Sequence, residues 1–593
     1  MNQTIRIGNA QAFWGDRPSA AKEILTQVPD LDYLTMDYLA EVSMSILALQ
    51  RERNPQSGYP QDFVEVVRGL AEYWLSGGKC KLIANAGGLS PMACALACRT
   101  ALENSGCRTL KIGVVDGDNV LEILQANKTE GQFRNLDTQE SLDSVQEQLV
   151  TANAYTGCSG IVDALALGAD IVITGRVADP SMVLAACVHH FKWPYDDWDR
   201  LAAGTLAGHL LECGTHATGG ICTDWLRVPS PSDIGFPIAE VSCDGMLVIT
   251  KSDSSGGCVT TETVKEQLLY EISDPGRYIS PDVVVSFLGL SVEQVSENRV
   301  RVLGAKGSKS PETLKVSATY RDGYRAAGTL TILGEHALEK GKRCGEIVLK
   351  RLFDAGWTYS QTVVECLGSG ASIPVLASIH SEQDIFETVL RIAVESPSKA
   401  AVEAFSKEMI PLVTAGPQGT TGYAQGRPSV QPVFRYWPCL IDCKHVPKRV
   451  QVIESTDCSN PVANPKAWPA VPKPKPTGSA AWTQLPRRVS HGPKRLVSVA
   501  YGRSGDKGIN ANIGILARDP ADYPWLKDWL TAERVREYFQ SMGIERVVRF
   551  EVPNLHGLNF LVYGVLRCSI RNDAQGKGLA QALLAMPIEG SHS

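Results

Sequence analysis

Short apolar, β-rich runs, each followed by a Gly-, Asn- or Asp-containing loop and then a helical period, recur through the first 200 residues. Thr4–Ile7 leads through Gly8–Asp16 to a helix over Pro18–Val28, where Pro18 suits a first-turn position. Leu31–Leu39 precedes a helix near Glu41–Gln50, and a further amphipathic helix spans Asp62–Leu75. Lys81–Ala84 enters Asn85-Ala86-Gly87-Gly88 before a helix at Pro91–Glu103, and Leu110–Val115 enters Asp116-Gly117-Asp118-Asn119. Asp170–Thr174 enters Gly175-Arg176 and a helix opened by Asp179-Pro180-Ser181. Repeated strand–loop–helix units predict an α/β domain built on a large parallel sheet covered on both faces.

From about 200 to 455 the alternation is less regular, with a helix over Leu201–Cys213, strands near Val241–Thr250 and Thr313–Tyr320, and a helix near Ile385–Val394. Prolines then crowd a weakly apolar stretch, 456–495, which predicts a linker between a domain over 1–455 and one over 496–593. Beyond it, strands at Leu496–Tyr501 and Asn512–Ala517, a helix at Ala532–Met542, strands at Val547–Val552 and Leu558–Leu566, and a helix at Leu579–Ala585 give a ββαββα order. That order suits a small α+β domain with its sheet covered on one face. No tandem repeat of fixed 20–50-residue period is present in the sequence.

At 593 residues the chain is too long for one core. Hydrophobic residues at 44 % and charged residues at 21 % exclude disorder and coiled coil as overall classes. With 58 Lys+Arg against 64 Asp+Glu there is no global field to draw in nucleic acid, so any anion site must be local. No apolar run approaches the roughly 20 residues that span a bilayer, and the N-terminus lacks the basic and apolar regions of a signal peptide. A cytoplasmic protein with no membrane partner is the expectation. The 16 Cys are scattered, and the pairs Cys94/Cys98 and Cys439/Cys443 have helical rather than CxxC spacing, which favours buried thiols.

In an open α/β sheet ligands sit at the carboxyl ends of the strands, so the loops there are the candidates. Asn85, Gly87 and Gly88 either make a tight turn or let a phosphate or carboxylate approach the backbone. Arg176 either pairs only with Asp179 or binds a substrate carboxylate or phosphate through its planar fork. Asp116 and Asp118 either cap the turn or ligate a divalent metal or a ribose. On the helix over Leu201–Cys213, His209, Glu212 and Cys213 share one face, which makes a proton-transfer cluster, a nucleophile, a metal site or a packed helix with a satisfied histidine. In the C-terminal region Gly502–Gly508 reads as a loop, from which Arg503, Asp506 and Lys507 either face solvent or reach an anion held by the larger domain. No G-x-G-x-x-G follows a strand, no P-loop occurs, and H-E-x-x-H is missing from the sequence.

At these stretches the chain resembles the acyclic terpene utilisation protein A family. The resemblance rests on Asp32–Glu41 (DYLTMDYLAE), Asn85–Cys94 (NAGGLSPMAC), Asp170–Ser181 (DIVITGRVADPS), Gly204–Gly220 (GTLAGHLLECGTHATGG) and Gly502–Arg518 (GRSGDKGINANIGILAR). It implies an N-terminal α/β domain of about 450 residues, a smaller ferredoxin-like domain, and a setting in the catabolism of branched acyclic terpenes through coenzyme A thioesters. Ser90 and His216 depart from the family's pattern, which has Asn and Gln there.

Residues and resemblance together lead to an expected enzyme acting on a small branched acyl-CoA or polycarboxylate by a hydro-lyase or carbon–carbon lyase step. Glu212 would abstract a proton next to the carbonyl, His209 would protonate the leaving hydroxyl, and Gly87, Gly88 and Arg176 would hold the enolate or carboxylate oxygen. Coenzyme A would enter as part of the substrate, and a divalent metal and a homo-oligomer remain open. The alternative is a non-catalytic subunit presenting an acyl-CoA to a partner such as a biotin-dependent carboxylase.

Overall fold

The computed structural model describes residues 3–40, 43–129, 131–379, 385–422, 426–454, 468–472, 494–567, 570–571 and 574–588. Its contacts divide the chain into two compact units. One comprises Met1–Thr319, Tyr436–Arg488 and Val552–Gly557, and the other Tyr320–Arg435, Val489–Glu551 and Leu558–Ser593. Residues 320–435 thus group with the C-terminal segment, which differs from a single cut at 455. Most of the expected linker over 456–495 lies outside the described residues, as does Glu41, the expected first residue of a helix that here spans Ser43–Arg53.

The first unit is built on a ten-stranded sheet. Its centre is a parallel set in the order Thr4–Asn9, Tyr33–Met36, Lys81–Ala84, Ile171–Thr174, Ile112–Asp116. Pro237–Ser242 adds antiparallel to Thr4–Asn9 and continues outward through Leu247–Lys251, Arg299–Leu303 and Ser291–Ser296, while Arg449–Ile453 adds antiparallel beyond Ile112–Asp116. The sheet is therefore mixed, with a parallel core.

Period-2 alternation of aliphatic residues puts both faces to use. Leu82, Ala84, Ile171 and Ile173 join one core cluster with Ile24, Leu25, Phe63, Val67, Cys94 and Leu102 from the helices Ala20–Gln27, Gln61–Gly69 and Pro91–Asn104. Ile83 and Val172, equally buried, point to the other face, where the helices Ser159–Ala166, Ser181–Phe191 and Trp198–Leu211 pack. The register pairs Met36 with Ala84, Ala84 with Ile173 and Val115 with Thr174, so the strands end level and their following loops lie side by side. Ile171–Thr174 returns between Lys81–Ala84 and Ile112–Asp116, out of chain order, and a reversal of that kind is where α/β sheets bind ligands.

In the second unit, Gln361–Leu367, Glu387–Ser396 and the part of the long strand Thr313–Leu333 from Tyr320 onward form an antiparallel sheet packed by helices Ala337–Asp354 and Lys399–Glu408. The helix expected near Ile385–Val394 is instead the strand Glu387–Ser396. Its alternating Thr388, Leu390, Ile392 and Val394 are buried, and it is paired on both sides. The C-terminal ferredoxin-like part has strands Ala500–Lys507, Asn510–Ala517, Gly557–Tyr563 and Arg546–Val552 in that sheet order, with helix Ala574–Leu584 closing a core around Phe560, Leu579 and Leu583. No described helix is long and apolar enough to cross a membrane.

Candidate functional site

Three loops at the level strand ends interlock through side chains that are almost fully buried. Asn85, the residue after Lys81–Ala84, donates from Nδ2 to Asp37 Oδ1 at 2.7 Å and accepts the N–H of Tyr38 at Oδ1, also at 2.7 Å. Leu39 N–H donates to the same Asp37 oxygen at 2.9 Å. Arg176, 3 % exposed, donates from Nη1 to the Leu39 carbonyl and lies with its guanidinium 4.2 Å from the Tyr155 ring centre. Asp179 Oδ1 stands 3.3 Å from Nη1, an ion pair rather than an aligned hydrogen bond.

From the neighbouring strand end, Asp118 Oδ2 accepts the backbone N–H of Arg176 at 2.8 Å and Asn153 Nδ2 at 2.7 Å. Asp116 Oδ1 accepts Gly117 N–H at 2.6 Å, within its own turn. Among the described residues no group of three His, Cys, Asp or Glu side chains converges as a metal would require. Both carboxylates are engaged by donors of their own turn or of neighbouring segments.

The glycines are explained by close approach. A Cβ on Gly87 would stand 2.5 Å from the Thr174 carbonyl oxygen, one on Gly175 2.2 Å from Asp118 Oδ1, and Gly88 has φ +54. Gly87 N–H donates to Thr174 O at 2.9 Å and Gly88 N–H reaches Asn85 O at 3.4 Å, so both groups are engaged within the protein. The backbone contact to an anion expected of Gly87 and Gly88 is thus replaced by strand-end packing.

Electrostatics follow burial. Loss of water pushes the Asp37 carboxyl well above the usual carboxylate range, the Asp179 carboxylate adds to this, and Arg176 with the Asn85 and Leu39 hydrogen bonds opposes it. Burial works against the Arg176 charge, but Asp179, Tyr155 and Asp37 outweigh it and hold the guanidinium charged. Asp118, also buried, is pushed up to about 6 despite its two hydrogen bonds.

The second cluster lies on helix Trp198–Leu211, which starts at an Asp197 cap accepting Arg200 N–H. His209, 1 % exposed, places Nδ1 3.0 Å from Glu212 Oε1 and Nε2 3.4 Å from the Leu268 carbonyl, with its ring against Tyr278 and Phe287. Enclosed in this way, His209 orients Glu212; the expected delivery of its own proton to a leaving hydroxyl is not supported by its surroundings. Cys213 is half-buried just past the helix, and His216 Nδ1 meets Gln267 Oε1 at 3.1 Å.

Tyr278 packs its ring against His209 and Phe287. Its hydroxyl is pushed up first by burial and then by the carboxylates of Glu212 and Asp179, so both lie within electrostatic reach of one side chain. Tyr278, Asp37, Tyr155 and Asn153 escaped the sequence reading. Asp37 has a signal, as an acid at the carboxyl end of DYLTMD, but the apolar pattern carries the expected strand through Leu39 and hides it.

In the second unit the expected loop Gly502–Gly508 is mostly the strand Ala500–Lys507, with the turn at 508–509. Arg503 is buried opposite Gly514, Asp506 is exposed opposite Ala511, and Lys507 is half-buried opposite Asn510. Gly502 serves close strand approach, since a Cβ there would stand 2.4 Å from the Gly514 oxygen.

Fold and site define an α/β protein with a candidate small-molecule site at the carboxyl ends of a parallel sheet, where a buried cation is flanked by carboxyl groups. The sequence profile of the acyclic terpene utilisation family protein AtuA matches residues 5–452, and that of the AtuA ferredoxin-like domain matches 494–589. The chain belongs to this acyclic terpene utilisation family. No curated protein and no solved structure matches it.

Proposed function

We propose that this protein is a catabolic enzyme that moves a proton next to the carbonyl of a small branched acyl-CoA or polycarboxylate, as a hydro-lyase or carbon–carbon lyase. The observation that carries the reading is Arg176, a buried guanidinium at the reversal of strand order with carboxyl groups on either side of it. Its charge offsets the carboxylate or enolate oxygen of a substrate, where a buried cation is worth far more than in water. Glu212, held at Oε1 by His209, takes the proton from the carbon beside the carbonyl, and in the hydro-lyase case the hydroxyl leaves with a proton as water. Coenzyme A enters as part of the substrate. The family's link to acyclic terpene utilisation supports a branched acyl group.

The test is purified full-length protein with a panel of branched 3-hydroxyacyl-CoA thioesters and polycarboxylates in heavy water, followed by mass spectrometry. Gain or loss of water, cleavage products or deuterium at the α-carbon support the enzyme. Saturable binding without turnover or exchange overturns it in favour of a subunit that presents an acyl-CoA to a partner enzyme such as a biotin-dependent carboxylase.

A further inference from the structure

Asp37 combines three features. It is 4 % exposed, the buried Arg176 bonds the Leu39 carbonyl two residues further on, and among the described residues both hydrogen bonds to its carboxyl end on Oδ1, from Asn85 Nδ2 and Leu39 N–H. If Asp37 were simply the counter-ion of Arg176, the guanidinium would be expected to bond it. Instead Nη1 goes to the Leu39 carbonyl and Asp179, while Nε has no hydrogen-bond partner among the described residues. One cation thus faces two carboxyl groups, and Asp179, the partly solvated one, leaves it able to hold a ligand oxygen. With that oxygen bound, an ionised Asp37 would add an unbalanced negative charge in a dry space, so the cheaper state places a proton on its remaining oxygen.

We infer that Asp37 serves this site as a neutral carboxylic acid whose Oδ2 donates its proton to an oxygen atom of the molecule that Arg176 holds. The inference rests on the anion-site reading under Proposed function and supplies the donor that the enclosed His209 leaves wanting. In the hydro-lyase step, Glu212 gains the α-proton, the carbon–oxygen bond breaks with its electron pair going to oxygen, and the Asp37 proton completes the water. Asp37 is left as a carboxylate facing Arg176, to be reprotonated from solvent. The charged and titratable groups around it are Arg176 and Asp179 from the Gly175 loop and Tyr155 beyond the guanidinium.

Calorimetric titration of the full chain with 3-hydroxy-3-methylbutanoate, across neutral to alkaline pH, tests this. Wild-type affinity should fall about tenfold per pH unit once Asp37 ionises, as one linked proton requires. Asp37→Asn keeps an acceptor for Asn85 and Leu39 and offers its Nδ2 as a donor in place of the protonated oxygen. It should therefore bind within about threefold of the wild type at neutral pH, with a flat profile, and lose turnover of hydroxyacyl substrates about 10²–10⁴-fold. An affinity that rises several-fold in Asp37→Asn at neutral pH would mean an ionised Asp37 and overturns the inference, as does a flat wild-type profile. Should the variant fail to fold, titration of the wild type in buffers of different ionisation enthalpy decides. Uptake of one proton per ligand above the Asp37 transition supports the donor, and uptake of none overturns it. Absence of wild-type binding at any pH overturns the anion site itself and the donor with it, an outcome distinct from pH-independent binding.

Discussion

The Asp118 carboxylate accepts the backbone N–H of Arg176 at 2.8 Å, so the residue carrying the buried guanidinium is pinned by an acid from the adjacent strand end. The contact is at once structural and titratable.

Asp118 titrates near 6 when folded, above the ordinary aspartate value of 3.8, chiefly because it is buried. A raised folded-state value favours the protonated form, so its contribution is fully present below about pH 4 and is lost as pH rises through about 6. The span is about 3 kcal/mol. Urea midpoints of wild type and Asp118→Asn between pH 4 and 8 should show the wild type losing roughly that much relative to the variant, and parallel curves would remove Asp118 as the source.

Arg176→Ala removes the partner of Asp179 and the bond to the Leu39 carbonyl. Breaking a fully buried pair costs about 3–5 kcal/mol; Asp179 is partly solvated, so about 2–3 is expected in denaturant unfolding. Because much of that loss is the stranded carboxylate, adding Asp179→Asn should return part of it, giving a coupling energy of about 1–2 kcal/mol in a double-mutant cycle. Additive losses would show that the two side chains do not share the charge balance.

Glu212→Gln keeps the side-chain shape but removes the base. Turnover and α-carbon deuterium exchange should drop about 10²–10⁴-fold with a small change in KM, whereas His209→Gln, which acts only through Glu212, should lower kcat less. Equal exchange in wild type and Glu212→Gln would take Glu212 out of the chemistry.

Arg503 and Lys507 occupy one strand but different surroundings, the first 4 % exposed and the second half-buried near the turn. Thermal unfolding should reflect this, with Arg503→Ala costing about 2–4 kcal/mol and Lys507→Ala less than about 1. Matching Tm losses would contradict the placement of Arg503 inside the sheet.

The parallel core was legible because its strands are aliphatic runs ended by turn residues. Lys81–Ala84 and the segment around Ile171–Thr174 fall where the pattern puts them. Glu387–Ser396 is ambiguous in sequence, since Ile385, Val389 and Ala393 also fit a helical spacing, and only pairing with two flanking strands decides against it. Gly502–Gly508 misled for a related reason: glycine permits both a turn and close strand approach, and the approach is visible only once Gly514 is opposite. At the site, Arg176 and Asp179 are legible from charge beside a helix start, and Glu212 from its place on one helix face with His209 and Cys213. Asp37 was missed because its strand stops three residues earlier than its apolar neighbours suggest, and Tyr278 because its place is fixed by long-range packing against His209 and Phe287.

The antiparallel partner of Ile112–Asp116 is Arg449–Ile453, where Ile112 meets Ile453 and Asp116 meets Arg449. During synthesis the bare backbone of Ile112–Asp116 must therefore wait at the rim of the sheet until the ribosome has passed residue 453. An unpaired edge of that kind is a template for pairing with other chains. A nascent or prematurely terminated polypeptide ending before Arg449 carries this hazard in full. Chaperone dependence and aggregation of truncated products should change at that point of translation, well before the ferredoxin-like part has been made.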